Sequence, residues 1–116
     1  MIAVRQNDRT VAGTTALEVK FARINATADG DNTIVAAVAG KKIRILAMAT
    51  NGIVTGIITF KSGAATTLFT MQQGNTAVIA FEANGYWICE TAAGQAFVIN
   101  NPAGTDTLGF CLYCEV

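Results

Sequence analysis

From Lys20 onward the chain alternates between short runs rich in Val, Ile, Thr and Phe and breaks built from Gly, Asn, Asp and Ala. The runs read "KFARINAT", "TIVAAVA", "KIRILAMAT", "IVTGIITFK", "TTLFTM", "TAVIAFE", "YWICE", "QAFVIN" and "TLGFCLYCEV". Between them stand "DGDN", "AGK", "TNG", "SGA", "QGN", "ANG", "AAG" and "NNPAGTD". β-Branched and aromatic side chains suit a pleated, half-buried strand, and Gly and Asn reach the backbone conformations that tight turns need. Many short strands at this spacing predict an all-β fold, an antiparallel β-sandwich or a barrel. The alanines of "TIVAAVAG" would equally suit a helical turn or two, so that run is the least strand-like.

At 116 residues the chain is one domain, long enough to bury a core without metal or disulfide staples. Its apolar fraction of 52% rules out a disordered chain, and its charged fraction is only 14%. Lys plus Arg equals Asp plus Glu, giving a net charge of zero. A neutral chain gains no counterion-release affinity for nucleic acid and no general attraction to anionic membranes, so neither is expected as a partner. Weak self-repulsion favours association instead. "MIAVRQNDRT" has no basic start followed by an apolar stretch, and no apolar run approaches the roughly 20 residues of a membrane helix. Three cysteines in such a chain predict free thiols and make the Asn25 sequon silent.

"KKIRILAMATNGIVTGIITFK" carries the sharpest local expectation. Asn51-Gly52 is a favoured two-residue type I′ turn, and a turn there would fix a hairpin register. Ala49/Val54, Ala47/Gly56, Ile45/Ile58 and Ile43/Phe60 then form one apolar face, the expected core. The opposite face begins with Lys42, Lys61, Arg44 and Thr59 and turns apolar at Leu46, Met48, Ile53 and Ile57. Either a second layer or another subunit must cover such a cluster; these four residues are assigned as subunit contacts. The second Asn-Gly, Asn84-Gly85, gives a mixed face, so its loop is longer or its flanking strands belong to different sheets. Residues 1–19 are polar and weakly patterned and read as an edge strand or, preferably, an N-terminal arm that orders on a partner; 20–116 form the sandwich domain. Val4, Arg5, Arg9 and Val11 are the arm residues assigned to contact that partner.

Chemistry is scarce. Cys111 and Cys114 have C-x-x-C spacing, but "TLGFCLYCEV" alternates as a strand with no helix to follow. Their opposite parity points them to opposite faces, so they share neither a disulfide nor a zinc ion; Leu108, Phe110, Leu112 and Cys114 are expected inside. With no His and Ser62 the only serine, Ser/His and Cys/His dyads are impossible, and no enzyme, catalytic residue, metal or cofactor is expected. "DGDN" begins like a calcium loop but has Ile34 where the loop Gly belongs and Gly40 where the bidentate Glu belongs. "GKKIR" lacks the spacing of a phosphate loop; its Lys41, Lys42 and Arg44 suit edge protection or an interface. Tyr86 and Trp87, flanked by Glu82 and Glu90, suit a glycan site or, more simply, a core or interface aromatic.

The stretch "ATADGDNTIVAAVAGKKIRILAMA", followed by "FKSG", "ETAAGQAFVINN" and a terminal "LGFCLYCEV", resembles the small β-sandwich head decoration, or cement, proteins of tailed bacteriophages. The resemblance spans residues 20–116 and lies in texture and strand order. It implies a jelly-roll-like sandwich that forms a homo-oligomer, trimer or dimer, on the outer capsid surface of the virion. There it would contact the major capsid protein and brace neighbouring capsomers. The alternative expectation is a tail-associated or carbohydrate-binding module that uses Tyr86 and Trp87.

Overall fold

The computed structural model describes residues 17–52, 55–73, 78–82 and 86–116, with 78–82 described through their backbone. The described residues form nine strands: β1 (Lys20–Ala26), β2 (Gly30–Val35), β3 (Ile43–Gly52), β4 (Gly56–Ser62), β5 (Thr66–Gln73), β6 (Val78–Glu82), β7 (Cys89–Glu90), β8 (Phe97–Asn101) and β9 (Thr107–Glu115). They build two antiparallel sheets. Sheet A runs β1-β9-β3-β6, with the short β7 also paired to β3; sheet B runs β2-β8-β4-β5. This interleaved order is that of a jelly roll, a sandwich folded from two Greek keys.

In this topology the chain changes sheet at almost every connection, and among the described strands only β4 and β5 form a hairpin, through the turn at Gly63. The hairpin expected at Asn51-Gly52 is therefore absent. Both residues belong to β3, which pairs with β9 and β6, while β4 lies in the other sheet. Gly52 does not adopt the left-handed conformation of a turn. It is buried, and a Cβ there would come within 2.8 Å of Gln73 Nε2. Glycine serves close packing across the sandwich at this position, not a bend. "TIVAAVA" supplies β2 and then a loop, with no helix.

The core lies between the sheets. Ile24 and Ala26 from β1, Ile43, Ile45 and Met48 from β3, and Cys111 from β9 meet Val35, Ile58, Phe60, Phe97 and Ile99 from sheet B. Phe60 stacks on Phe69 with ring centroids 4.4 Å apart and on Phe97 at 6.2 Å. Each such buried side chain contributes roughly 1.5–3 kcal/mol of transfer free energy, so this layer holds the two sheets together. One end is sealed by polar groups: Gln73 Nε2 donates to Thr107 Oγ1, which donates to Asn101 Oδ1, and Asn101 Nδ2 donates to the Ala26 carbonyl. That chain joins β5 and β8 of one sheet to β9 and β1 of the other.

The expected division of β3 into faces fails at one point. Ile45 pairs with Tyr113 and Ala47 with Leu112, which leaves Leu46 as an inserted residue, a β-bulge. Ile43 and Ile45 face the core as expected, but beyond the bulge the parity reverses, so Met48 and Thr50 are buried and Ala47 and Ala49 face outward. Leu46 is buried outside the sandwich core, with Cys114, beneath Leu17, Val19 and Val116. Of the four assigned subunit contacts, Leu46 and Met48 are thus interior residues, Ile53 lies outside the described residues, and Ile57 alone is exposed, on β4.

These burials separate two substitutions that a shared-face arrangement would make equivalent. Leu46→Glu places an unpaired charge in a dry cluster and should lower unfolding stability by about 4 kcal/mol or more. Ile57→Glu, on an exposed position, should stay within about 0.5 kcal/mol of the parent. Urea denaturation of the two variants checks the difference.

Candidate functional site

The outer face of sheet A is the surface on which the chain's unusual features gather. In β1 the alternation of "KFARINA" sends Ala22, Ile24 and Ala26 inward and Phe21, Arg23 and Asn25 outward. Register then places Phe21 beside Leu112 and Ala47, and Arg23 beside Phe110 and Ala49. Phe21 and Phe110 stack with centroids 5.7 Å apart and planes at 17°, yet remain 65% and 40% exposed. An exposed aromatic stack between an edge strand and its neighbour is unusual for a surface that meets only water.

The two ends of this face differ. At one end Leu17 and Val19 pack over Leu46 and Cys114, so the segment just before β1 belongs to the packed structure. The expected arm residues Val4, Arg5, Arg9 and Val11 lie outside the described residues. Beyond that covered end, Arg44 projects from β3 and its guanidinium lies 3.9 Å from the Trp87 ring centroid. Glu90 pairs with Arg44 and receives Lys42 Nζ at 3.6 Å. Near the same end, Lys20 Nζ donates to Glu115 at 3.1 Å, and that carboxylate raises the lysine pKa. Lys20, Lys42 and Arg44 are thus matched within the chain, while Arg23 stands exposed on the face.

Trp87 reaches this corner because β6 and β7 are not a hairpin about Asn84-Gly85. Both pair with β3, β6 along Ala47–Asn51 and β7 along Arg44–Ile45. Residues 83–85 lie outside the described residues; Tyr86 emerges exposed and Trp87 folds back over Arg44. Arg44 therefore occupies one face of the indole, and Glu90 is held by two cations. Glu82 is described through its backbone alone. Lys42 and Arg44 do not guard a sheet edge, since β3 is an inner strand; Lys42 exchanges backbone hydrogen bonds with Val116 at the start of it.

The cysteines separate as parity requires, but with the faces exchanged. Cys111 and Tyr113 face the sandwich core, whereas Leu108, Phe110, Leu112 and Cys114 lie on the outer face of sheet A. Burial pushes the Cys111 thiol up to about 12, and burial together with nearby Cys111 does the same to Cys89. None of the three cysteines forms a disulfide. Asp29 and Asp31 are spent on the fold: Asp29 Oδ1 accepts the Gly104 N–H at 3.0 Å, and Asp31 accepts from Asn100 at 2.7 Å and Lys61 at 3.0 Å. Those hydrogen bonds, Asn100 first, hold the Asp31 carboxyl below its ordinary range. Among the described residues no three His, Cys, Asp or Glu side chains are grouped to hold a metal ion.

The sequence reading leaves Phe21 unassigned and expects Phe110 inside. The available cue was Phe21 itself, a bulky aromatic in the same alternating set as Arg23 and Asn25. Comparison with protein-family models, with curated proteins and with solved structures gives no match.

The raised pKa of Cys89 and Cys111 and the full burial of Cys111 and Cys114 predict inert cysteines. An aromatic disulfide reagent at pH 8 should titrate three thiols in denaturant and react with the native chain on the order of a hundredfold more slowly. Rapid labelling of the native chain would contradict the buried placement.

Proposed function

We propose that this chain is a virion structural protein, a decoration protein that stabilises a phage head by bracing neighbouring capsomers from the outer capsid surface. The single observation that carries the reading is a two-sheet jelly roll that exposes the stacked Phe21 and Phe110 on one sheet face while pairing Lys20, Lys42 and Arg44 nearby within the chain. Such a body offers contact area rather than chemistry. Jelly rolls recur in viral capsid and lectin domains, and a fold alone does not choose among functions. The resemblance of residues 20–116 to phage head decoration proteins supports the capsid choice. Low charge and zero net charge support repeated weak contacts on an ordered lattice, where many small interfaces sum by avidity.

A glycan-binding role fits the corner at Trp87 less well. A sugar-stacking platform needs a bare aromatic face and free polar partners, whereas here the guanidinium covers one side of the indole and Glu90 is already ion-paired. The mechanism proposed is non-covalent: the folded body docks across a boundary between capsomers and raises the cost of separating them.

The test is a binding and stability assay on expanded heads of the parent phage assembled without this chain. Added chain should co-sediment to a fixed stoichiometry and raise the temperature at which the heads release DNA. Heads that neither bind the chain nor gain heat resistance would overturn the reading, as would glycan capture that is abolished by Trp87→Ala.

A further inference from the structure

A sandwich leaves the outermost strands of its sheets with unpaired backbone N–H and C=O groups. Each such edge invites pairing unless a charge, a proline, a bulge or short length blocks it. Among the described residues most edges are guarded. β1 carries Lys20 and Arg23, β2 carries Asp31 and a register shift between Thr33 and Val35, and β6 and β7 end at Glu82 and Glu90. β5 is different. It closes sheet B beyond β4, runs for 8 residues as "TTLFTMQQ", and holds no charge and no proline. Its one irregularity is the bulge that inserts Leu68 between Thr67 and Phe69, opposite Lys61 and Phe60. From Phe69 to Gln73 the register with β4 runs without a break, Met71 packs against the core, and Thr70 and Gln72 stand exposed.

We infer that β5 pairs along this stretch with β5 of a second copy, antiparallel about a two-fold axis, joining two B sheets into one continuous sheet. Unpaired backbone groups admit only an extended strand, and a two-fold contact sets the same strand against itself in the antiparallel sense. The unbroken stretch sets the register. Centred on Met71, it opposes Phe69 to Gln73 and Thr70 to Gln72 of the second copy. This register favours a like strand. A threonine hydroxyl and a glutamine amide each donate and accept, so Thr70 and Gln72 make two equivalent side-chain hydrogen bonds across the axis, while Met71 meets its own copy on the core side. A strand bearing charges at those positions would find no ion-pair partner on β5. The inference goes beyond the decoration reading and does not depend on it, since the pairing needs no head. Backbone pairing along one short edge buries little area, so the dimer is weak in solution and gains from copies held close together on a lattice.

Sedimentation equilibrium of the full chain alone, without heads, tests this independently of capsid binding. Over roughly 10 to 500 µM the parent mass should rise from 12.1 kDa toward twice that value. Thr70→Lys combined with Gln72→Lys sets like charges face to face across the axis and should raise the dissociation constant on the order of tenfold or more. Thr70→Glu combined with Gln72→Glu should do the same. Both positions are exposed, so circular dichroism should not change. Mixed in equal amounts, the two double variants should associate again, at least as tightly as the parent, because each Lys then faces a Glu. Should a double variant fail to fold, Thr70→Lys mixed with Gln72→Glu decides the matter: these singly substituted chains should bind each other more tightly than the parent binds itself. A parent chain that stays at 12.1 kDa overturns the inference and gives the edge to residues 1–16 or to an unlike strand. Association that the variants leave unaltered, a mixture that stays apart, or a mass settling at another multiple overturns it equally.

Discussion

A single inserted residue governs which side chains the central strand of sheet A gives to the core and which to its outer face. Leu46 stands between the pairs Ile45–Tyr113 and Ala47–Leu112, and the extra residue shifts the two-residue period of β3 by one step. Without it, Ala47 and Ala49 would continue the inward line begun by Ile43 and Ile45, leaving small side chains where the sandwich needs volume. With it, Met48 fills that line, and Thr50 and Gly52 follow toward the polar seal formed by Gln73, Thr107 and Asn101. Two alanines are released to the outer face, where they flatten the surface beside Phe110 and Leu112.

The same insertion partitions the outer face. Leu46, turned outward, needs cover, and the chain entering β1 supplies it through Leu17 and Val19, with Cys114 and Val116 beneath and beside. That cap ends where Phe21 begins. From there across β9 the face exposes Phe21, Arg23 and Phe110, and the Lys20–Glu115 and Arg44–Glu90 pairs near it are closed within the chain. Packing energy explains the covered end; the open remainder is the surface that the functional reading uses. The buried, protonated thiols and the fully engaged Asp29 and Asp31 add nothing reactive to it.

Much of the strand content was legible in the sequence, because β-branched runs between Gly and Asn breaks mark strands through local physics alone. "KFARINAT", "QAFVIN" and "TLGFCLYCEV" map closely onto β1, β8 and β9. Pairing was not legible in the same way. Asn51-Gly52 has ideal hairpin chemistry, yet a jelly roll sends β3 and β4 to opposite sheets, and long-range packing against Gln73 fixes glycine there instead. Bulges are similarly silent: nothing in "KIRILAMAT" marks Leu46 as the residue out of step, since every residue from Ile45 to Ala49 is apolar and either parity would satisfy the pattern. The assignment of Leu46 and Met48 to one surface failed for that reason. Cys111 and Phe110 exchanged faces because a free thiol and a phenyl ring rank nearly alike as core residues.

Cross-strand proton contacts along the backbone of β3 test the central claim most directly. The account requires β3 to pair with β9 with a one-residue step at Leu46, so nuclear Overhauser contacts should link the backbone of Ile45 to Tyr113, Ala47 to Leu112 and Ala49 to Phe110. Backbone contacts linking Ala47 to Gly56 and Ile43 to Phe60 would restore a hairpin at Asn51-Gly52 and contradict the bulge, the jelly roll and the open face together.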